Sequence, residues 1–350
     1  MSDQAAGFPG NPSVWNNPTD ASPVHHYKLQ VRDHSLSSAV GLLIRSAPYA
    51  LAHFGILLAG SIVGIIWLVV MFGGAAWLGS HIARVFGIVW FLFCLVGVGW
   101  FWATVLRYAV HLLTCGHVAV LTELITTGQV GNGSESMLAY GKRVVLARFG
   151  QVNALFGLNL VVRGIVDSFH RTLDWVDQIL PIPGLESLNS LVTMVLRAAT
   201  RYLDKVILSY NLARGDTDPW VGARQGLVYY AQNAKPILVT SLWIVVQERV
   251  LTFVVWLIML APAALITVAL PPVMRETGGV VTLIVAAMLA YAFRAAFIKP
   301  LFLIRMMVRF HGLVENQPIN QAWDERLSSI SDKFRTLGTS GTGAFESKTV

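Results

Sequence analysis

The chain has 350 residues, of which 55% are apolar and only 13% are charged, and its mean hydropathy is +0.59. This composition cannot supply the polar skin of a water-soluble domain, so the sequence is that of a multi-pass membrane protein. The net charge of +7 comes from basic residues strung between the apolar runs and not gathered into one patch. We therefore attribute it to membrane topology and exclude nucleic acid as a partner.

The N-terminal region, residues 1–47, contains Pro, Gly and Asn in the positions where a secretory signal would carry a basic segment and an apolar core. We expect no cleavable signal peptide and interpret the region as a largely disordered cytoplasmic tail. The C-terminal region, residues 311–350, ends in a Gly/Ser/Thr-rich stretch and is interpreted as a second cytoplasmic tail.

Between these tails, residues 48–310 are predicted to form an all-α membrane domain. Its apolar runs reach or approach the roughly 18 to 20 residues that cross a bilayer core of about 30 Å. The runs are Ala50–Leu78, Val85–Leu106, Phe149–Ile165 (weak), Val250–Leu270 and Val280–Met307. With one more crossing in the middle of the chain they predict about six transmembrane helices, plus amphipathic or re-entrant helices within about 170–235.

The middle of the chain admits two topologies. In the first, residues 85–127 form one helix that projects into the cytoplasm, and Leu188–Leu212 crosses the membrane despite its charges. In the second, the chain folds back near Arg107 to make two spans, and residues 166–235 lie at the cytoplasmic face. Charge counting favours the first topology, whereas the cost of charges at mid-bilayer, about 2.5 to 3.5 kcal/mol each, favours the second.

Basic residues flank the two ends of this domain. Lys28, Arg32 and Arg45 precede the first run, and Arg305 and Arg309 close the last. By the positive-inside rule both termini are expected to be cytoplasmic, in a cell membrane.

The stretch "WIVVQERVLTFVVW" places Glu248 and Arg249 inside a run that is otherwise apolar from Pro236 to Leu270. A helix over that whole run would be about 50 Å long and would exceed one bilayer core. We therefore expect the two charges at the cytoplasmic border of a span, with Pro236–Val246 as an interfacial or re-entrant segment. A coupling or gating pair is the alternative interpretation.

Other polar and aromatic residues are candidates for a solute pathway. Glu123 stands alone in an apolar helix and could counter a cationic solute, and Arg294 lies within the last apolar run. Tryptophans, including Trp243 and Trp256, could form a cage for a quaternary ammonium group, although aromatic belts at the membrane interfaces are the commoner explanation.

Several classes of site are not indicated by any motif. The sequence has no nucleotide-binding loop, metalloprotease motif or hydrolase nucleophile motif, so we expect neither an enzyme nor a cofactor. Three histidines, His53, His111 and His117, lie in apolar helices without ligand spacing, and no metal site is predicted. Gly60 and Gly64 form a GxxxG pattern that permits close helix packing within the chain or a homo-oligomer contact.

The order of features over residues 85–316 resembles a known family. The matching pieces are "LDWVDQIL", "RYLDKVILSYN", "GARQGLVYYAQN", "VQERVLTFVVWLIML" and "TLIVAAMLAYAFRAAFIKPLFLIRMMVRFHGLVEN". Together they are similar to the C-terminal half of the choline-transporter-like proteins. The residues carried over are Tyr210, Ala223, Arg224, Asn233, Glu315 and Asn316. Members of that family have about ten spans and a large Cys-rich extracellular domain, which this chain lacks.

The resemblance implies a secondary transporter or facilitative channel for a small solute, such as choline or another organic cation. On this interpretation Arg224 either reaches lipid phosphate or pairs with a carboxylate in one transport state. The alternative function is a non-transporting membrane scaffold that recruits partners.

Overall fold

The computed structural model describes residues 27–131, 135–149, 152–170, 188–214, 219–268 and 278–337, and every regular element within them is helical. The helices are α1 (Leu36–Arg45), α2 (Ala47–His81), α3 (Arg84–Phe101), α4 (Arg107–Thr126), α5 (Met137–Phe149), α6 (Val152–His170), α7 (Leu188–Ala213), α8 (Pro219–Gln232), α9 (Ala234–Val268), α10 (Gly278–Phe293), α11 (Lys299–Val314), α12 (Gln321–Ile330) and α13 (Asp332–Thr336). Two π-helical turns, Trp102–Leu106 and Arg294–Ile298, join α3 to α4 and α10 to α11.

Within the described residues, four helices are long and apolar enough to cross a membrane. They are Ala47–His81, Arg84–Thr126, Ala234–Leu265 and Thr282–Val314. The expectation of an all-α membrane protein is confirmed at this level, whereas six crossings are not confirmed. The run predicted at Phe149–Ile165 falls mostly in α6, where Val162 and Ile165 are buried against protein.

The outer surface of these four helices is an apolar belt, formed by the exposed faces of residues 62–105, 246–268 and 278–291. Val69, Phe93 and Leu265 are 67%, 69% and 74% exposed, respectively. A continuous apolar surface of this size does not face water in soluble proteins, so the belt is the surface that contacts lipid.

The α2–α3 hairpin is held by close backbone contact and by tryptophan hydrogen bonds. A Cβ on Gly87 would lie 2.5 Å from the carbonyl oxygen of Ala75, so only glycine permits this approach. The indole of Trp67 donates to the carbonyl of Cys94 at 2.9 Å, and that of Trp90 reaches across the hairpin in the same way. Both indoles therefore brace the hairpin.

The remaining described helices form a packed region at one end of the four long helices. It comprises α1, the second half of α4, α5 to α8, and α11 to α13, and it holds most of the buried core. The continuous helix Arg84–Thr126 has 43 residues and is about 65 Å long, so its far end projects from the membrane into this region.

The structure combines parts of both predicted topologies. The chain does not fold back near Arg107, because the helix continues through the π turn Trp102–Leu106 into α4. In contrast to the first topology, α7 packs in the core of the packed region against α4 and α9. The segment Pro236–Val246, expected to be interfacial or re-entrant, is instead the first part of the continuous helix α9.

Both tails contribute ordered helices to the packed region. Ser35 caps α1 by accepting a hydrogen bond from the backbone N–H of Ser38. Upstream of this cap, Arg32 forms an ion pair with Glu315 at 2.7 Å. The two ends of the described chain thus meet on the same side of the apolar belt.

Candidate functional site

A cavity of about 280 Å³ lies where the apolar belt meets the packed region. Its walls come from α2, α4, α7, α10, α11 and the π turn between α10 and α11. Among the described residues that line it, none is Asp or Glu, and four are cationic: Arg107, Arg201, Lys205 and Lys299. We call it the cationic cavity.

The position of the cavity along the helices places it at one border of the membrane. At 1.5 Å per residue, Arg107 lies about 35 Å along its helix from Arg84, and Lys299 lies about 32 Å from Gly278. A hydrocarbon core of about 30 Å would end close to these two side chains. The cations therefore lie at the level where the headgroups of one leaflet begin.

The two π turns present these cations to the cavity. Each is closed by a bond across five residues, from the N–H of Arg107 to the carbonyl of Trp102 and from the N–H of Lys299 to that of Arg294. A π turn inserts one residue into a helix and so rotates the side chains that follow, and such turns are frequent at functional sites. Arg107 and Lys299 are the first residues after the two turns.

The four cations differ in how far their charge is compensated. Lys205 lies 3.2 Å from Asp204, which also pairs with Arg163 at 2.7 Å. Within the described residues, by contrast, neither Arg107 nor Lys299 forms an ion pair with a carboxylate. Lys299 instead approaches the ring of Tyr291, 5.9 Å from its centroid.

Glu248 lies beside the cavity and links three helices. Its carboxylate is 2.6 Å from a guanidinium nitrogen of Arg294 and 3.3 Å from one of Arg201, and it is only 3% exposed. The hydroxyl of Tyr202 donates to it at 3.1 Å. Burial, followed by the charge of Glu248, raises the pKa of the Tyr202 phenol far above its ordinary value, so that the hydroxyl keeps its proton and remains a donor.

Three histidines that have no ligand spacing in the sequence line this one cavity. The His117 ring stacks on Tyr49 with centroids 5.2 Å apart, and its Nε2 lies 2.9 Å from the hydroxyl of Ser46. The buried Nε2 of His53 has no hydrogen-bond partner among the described residues. Among all the residues that the structure describes, no three His, Cys, Asp or Glu side chains are placed to share a metal ion.

Of the residues predicted as pathway candidates, the structure brings Glu248 and Arg294 together. Arg249, adjacent to Glu248 in sequence, points away and is exposed. The structure thus separates the two charges of the "QER" stretch, one buried in an ion-pair network and one at the surface.

Arg224 and Tyr210 lie in the packed region, away from the cavity. Arg224 pairs with Asp324 at 2.7 Å and donates to the carbonyl oxygens of Phe334 and Leu337, at 3.3 and 3.1 Å. Its guanidinium also lies 4.6 Å from the centroid of the Phe334 ring. Arg224 therefore holds the C-terminal helices and does not reach toward lipid, and Tyr210 is a fully buried core residue.

Glu123 and the two candidate tryptophans are also outside the cationic cavity. Glu123 lines a second cavity with Tyr140 and accepts a hydrogen bond from the hydroxyl of Thr127 at 3.3 Å. Trp243 is 59% exposed, and Trp256 stacks on Phe253 with centroids 6.3 Å apart. Trp243 and Trp256 are 13 residues apart on α9 and do not contribute to one cage.

The GxxxG pattern has a partner within the chain at one of its two glycines. A Cβ on Gly60 would lie 3.2 Å from the side chain of Leu106. Around Gly64, by comparison, no described atom comes within 4 Å of such a Cβ.

Sequence reasoning did not select the cations that define the cavity. From the sequence, Arg107 is only the place where the chain folds back in the second topology, and Arg201 and Lys205 are only charges that oppose a crossing by Leu188–Leu212. The signal that could have identified them is their position: Arg107 and Lys299 both follow about one bilayer thickness of apolar helix.

Comparisons with known proteins give no relative of this chain: no protein-family model matches it, and neither a curated protein nor a solved structure is found to be similar.

Proposed function

We propose that this chain is a membrane transport protein whose solute is a small anion that binds in the cationic cavity. The observation that carries the proposal is the lining of that cavity, which has four cationic side chains and no carboxylate among the described residues. Charged side chains of a membrane protein that face a cavity are candidates for an ion or substrate pathway.

The sign of the charge favours an anion over choline, the solute implied by the family resemblance. A bound cation about 6 Å from one uncompensated lysine or arginine would be repelled by on the order of 3 kcal/mol at an effective dielectric constant of 20. Within the described residues, neither Arg107 nor Lys299 forms an ion pair that would offset this repulsion. The same two charges attract an anion.

The Glu248 network offers a way for binding to change the structure. Arg201 lines the cavity and contacts Glu248 at 3.3 Å, whereas Arg294 holds the same carboxylate at 2.6 Å. An anion in the cavity competes with Glu248 for Arg201 without displacing Arg294. Because Glu248 lies on α9 and Arg201 on α7, this exchange would remove one contact between α7 and α9 when solute is bound and would leave the hydrogen bond from Tyr202 in place.

The proposed orientation has the packed region in the cytoplasm. This region contains both described ends of the chain and most of the basic residues outside the belt, which the positive-inside rule assigns to the cytoplasmic side. The cavity then opens at the inner leaflet of a cell membrane.

Uptake by proteoliposomes tests the proposal. The full chain is reconstituted, and uptake of labelled phosphate, sulfate, acetate and choline is compared with that of empty liposomes. We expect saturable uptake of at least one anion and none of choline. The double variant R107Q/K299Q should abolish anion uptake, whereas Arg249→Gln, which removes a cation outside the cavity, should retain it.

A non-transporting scaffold is the second candidate function. It is favoured by the clamp that Arg224 forms on α12 and α13, which fixes the C-terminal helices against α8 and α6. The protein used in the uptake assay is first shown to be folded by its melting curve. If this protein takes up none of the tested anions and no choline in a saturable manner, the scaffold function replaces the transporter function.

A further inference from the structure

Building on the proposed function, we propose that the cationic cavity takes a dianionic phosphate monoester attached to an apolar group. The proposal names the chemical class of the ligand, which the charge of the cavity alone does not. Three features lead to it: the number of uncompensated cations, the mixed lining of the cavity and a lining residue that also lies on the outer surface.

The count of uncompensated charges matches a dianion. Arg201 and Lys205 share their charge with Glu248 and Asp204, respectively, while Arg107 and Lys299 have no carboxylate partner among the described residues. The cavity therefore presents two cations that form no ion pair among the described residues and two that share a carboxylate. A phosphate monoester carries between about −1.5 and −2 charges at pH 7, whereas a phosphodiester or a carboxylate carries one.

The donors in the cavity suit the oxygens of such a group. A phosphate monoester offers three terminal oxygens that only accept hydrogen bonds, and ammonium and guanidinium groups only donate. The guanidinium groups of Arg107 and Arg201 can each present two parallel N–H donors to phosphate. Burial of the ligand then leaves no charged oxygen without a donor.

The rest of the lining is apolar and predicts an apolar group next to the phosphate. Leu57, Val110, Ala295 and Leu303 come from α2, α4, the second π turn and α11, and they share the cavity with the four cations. A free inorganic anion would leave these surfaces in contact with water. An alkyl or acyl group attached to the phosphate would cover them.

One side chain that lines the cavity also lies on the outer surface of the helices, because Tyr291 is 48% exposed. The cations also lie at the depth of the headgroups of one leaflet. A lipid with a phosphomonoester headgroup could enter sideways with its acyl chains still in the bilayer, whereas a soluble phosphate ester would enter from the aqueous side.

Ligand binding to the purified full chain separates these sources and tests the class. The protein in nanodiscs of phosphatidylcholine is compared with protein in nanodiscs that also contain phosphatidic acid or phosphatidylglycerol, and lipid retained after detergent extraction is counted by native mass spectrometry. In a second arm, hexyl phosphate, inorganic phosphate, sulfate and acetate are titrated against the melting temperature of the protein in phosphatidylcholine.

We expect retention of phosphatidic acid in preference to phosphatidylglycerol, or stabilisation by hexyl phosphate in preference to inorganic phosphate and the other two anions. The first result assigns the lipid as the source and the second a soluble ester. Arg107→Gln and Lys299→Gln should each weaken the preferred ligand by roughly tenfold or more, because each removes a charge-assisted contact. Lys299→Arg should restore most of the binding, and Arg249→Gln should leave it unchanged.

The outcomes separate failure of this inference from failure of the proposed function. Equal binding of phosphatidic acid and phosphatidylglycerol, or of hexyl phosphate, inorganic phosphate, sulfate and acetate, overturns the phosphate-monoester assignment and leaves an anion site. Absence of any anion dependence overturns both. Binding that persists in R107Q and K299Q protein with unchanged melting curves shows that the ligand lies elsewhere and also overturns the assignment.

Discussion

Substitution of Glu248 by Gln tests whether the buried ion-pair network holds the membrane helices together. Gln keeps the size of the side chain and one carbonyl acceptor but removes the negative charge. The variant would leave Arg294 and Arg201 near each other without the carboxylate that now lies between them, 2.6 and 3.3 Å away. The neighbouring Arg249→Gln is the matched control, because Arg249 is exposed and outside the network.

The magnitude follows from the burial of the three partners. Removing one partner of a fully buried ion pair costs about 3 to 5 kcal/mol. Here the carboxylate is only 4% exposed, but the side chains of Arg294 and Arg201 are 25% and 42% exposed, so solvent screens both cations after the change. We therefore expect a loss of about 2 kcal/mol, which for a chain of 350 residues corresponds to a melting temperature lower by about 3 °C.

The assay is thermal unfolding of the purified full chain in nanodiscs, followed by intrinsic tryptophan fluorescence at one fixed heating rate. Arg249→Gln should melt within about 1 °C of the parent, since surface substitutions away from such contacts usually change stability by less than about 0.5 kcal/mol. The double variant E248Q/R294Q should recover part of the loss, because it removes the uncompensated guanidinium. If E248Q melts with the parent, the network does not stabilise the fold and the gating role proposed for Arg201 loses its basis.

The remaining predictions concern the hairpin, the tail and the orientation. Gly87→Ala should lower the melting temperature by several degrees because its Cβ would collide with backbone, whereas Gly64→Ala, in open space, should not; equal effects would contradict the hairpin geometry. Arg224→Lys should make the C-terminal helices more susceptible to limited proteolysis, because lysine cannot keep the paired contact with Asp324 together with the carbonyl contacts. Resistance equal to that of the parent would refute the clamp. In a background without the two native cysteines, a cysteine at Ser80 should react with an impermeant reagent from outside the cell and one at Ser329 only after permeabilisation; the reverse pattern would invert the proposed orientation.

The family resemblance and the cavity lead to different solutes, and the cavity rests on observed geometry. The segment on which the resemblance is most specific contains Tyr210 and Arg224, and the structure uses both to build the packed region. Neither lies at the cationic cavity. The sequence pattern there is accounted for by core packing and by the clamp on the tail, so it gives no independent support for choline.

The amino-acid sequence by itself determined that this is a helical membrane protein and where its most apolar helices run. Hydropathy is a property of consecutive residues, and a run such as Ala50–Leu78 is long enough to cross a bilayer whatever else the chain does. The sequence did not determine the number of crossings. An apolar stripe such as that of α6 can be buried equally well against protein or lipid, and only the packing of α7 and α8 against it decides which.

The tertiary structure alone decided which charges meet. Glu248 is separated from Arg201 and Arg294 by 47 and 46 residues, and its adjacent residue Arg249 points elsewhere. Which of two neighbouring side chains faces the protein depends on the rotation of the helix about its axis, and a single π turn is enough to change that rotation. The convergence of Arg107 and Lys299 on one cavity follows from two such turns at the same depth, and no spacing along the chain records it.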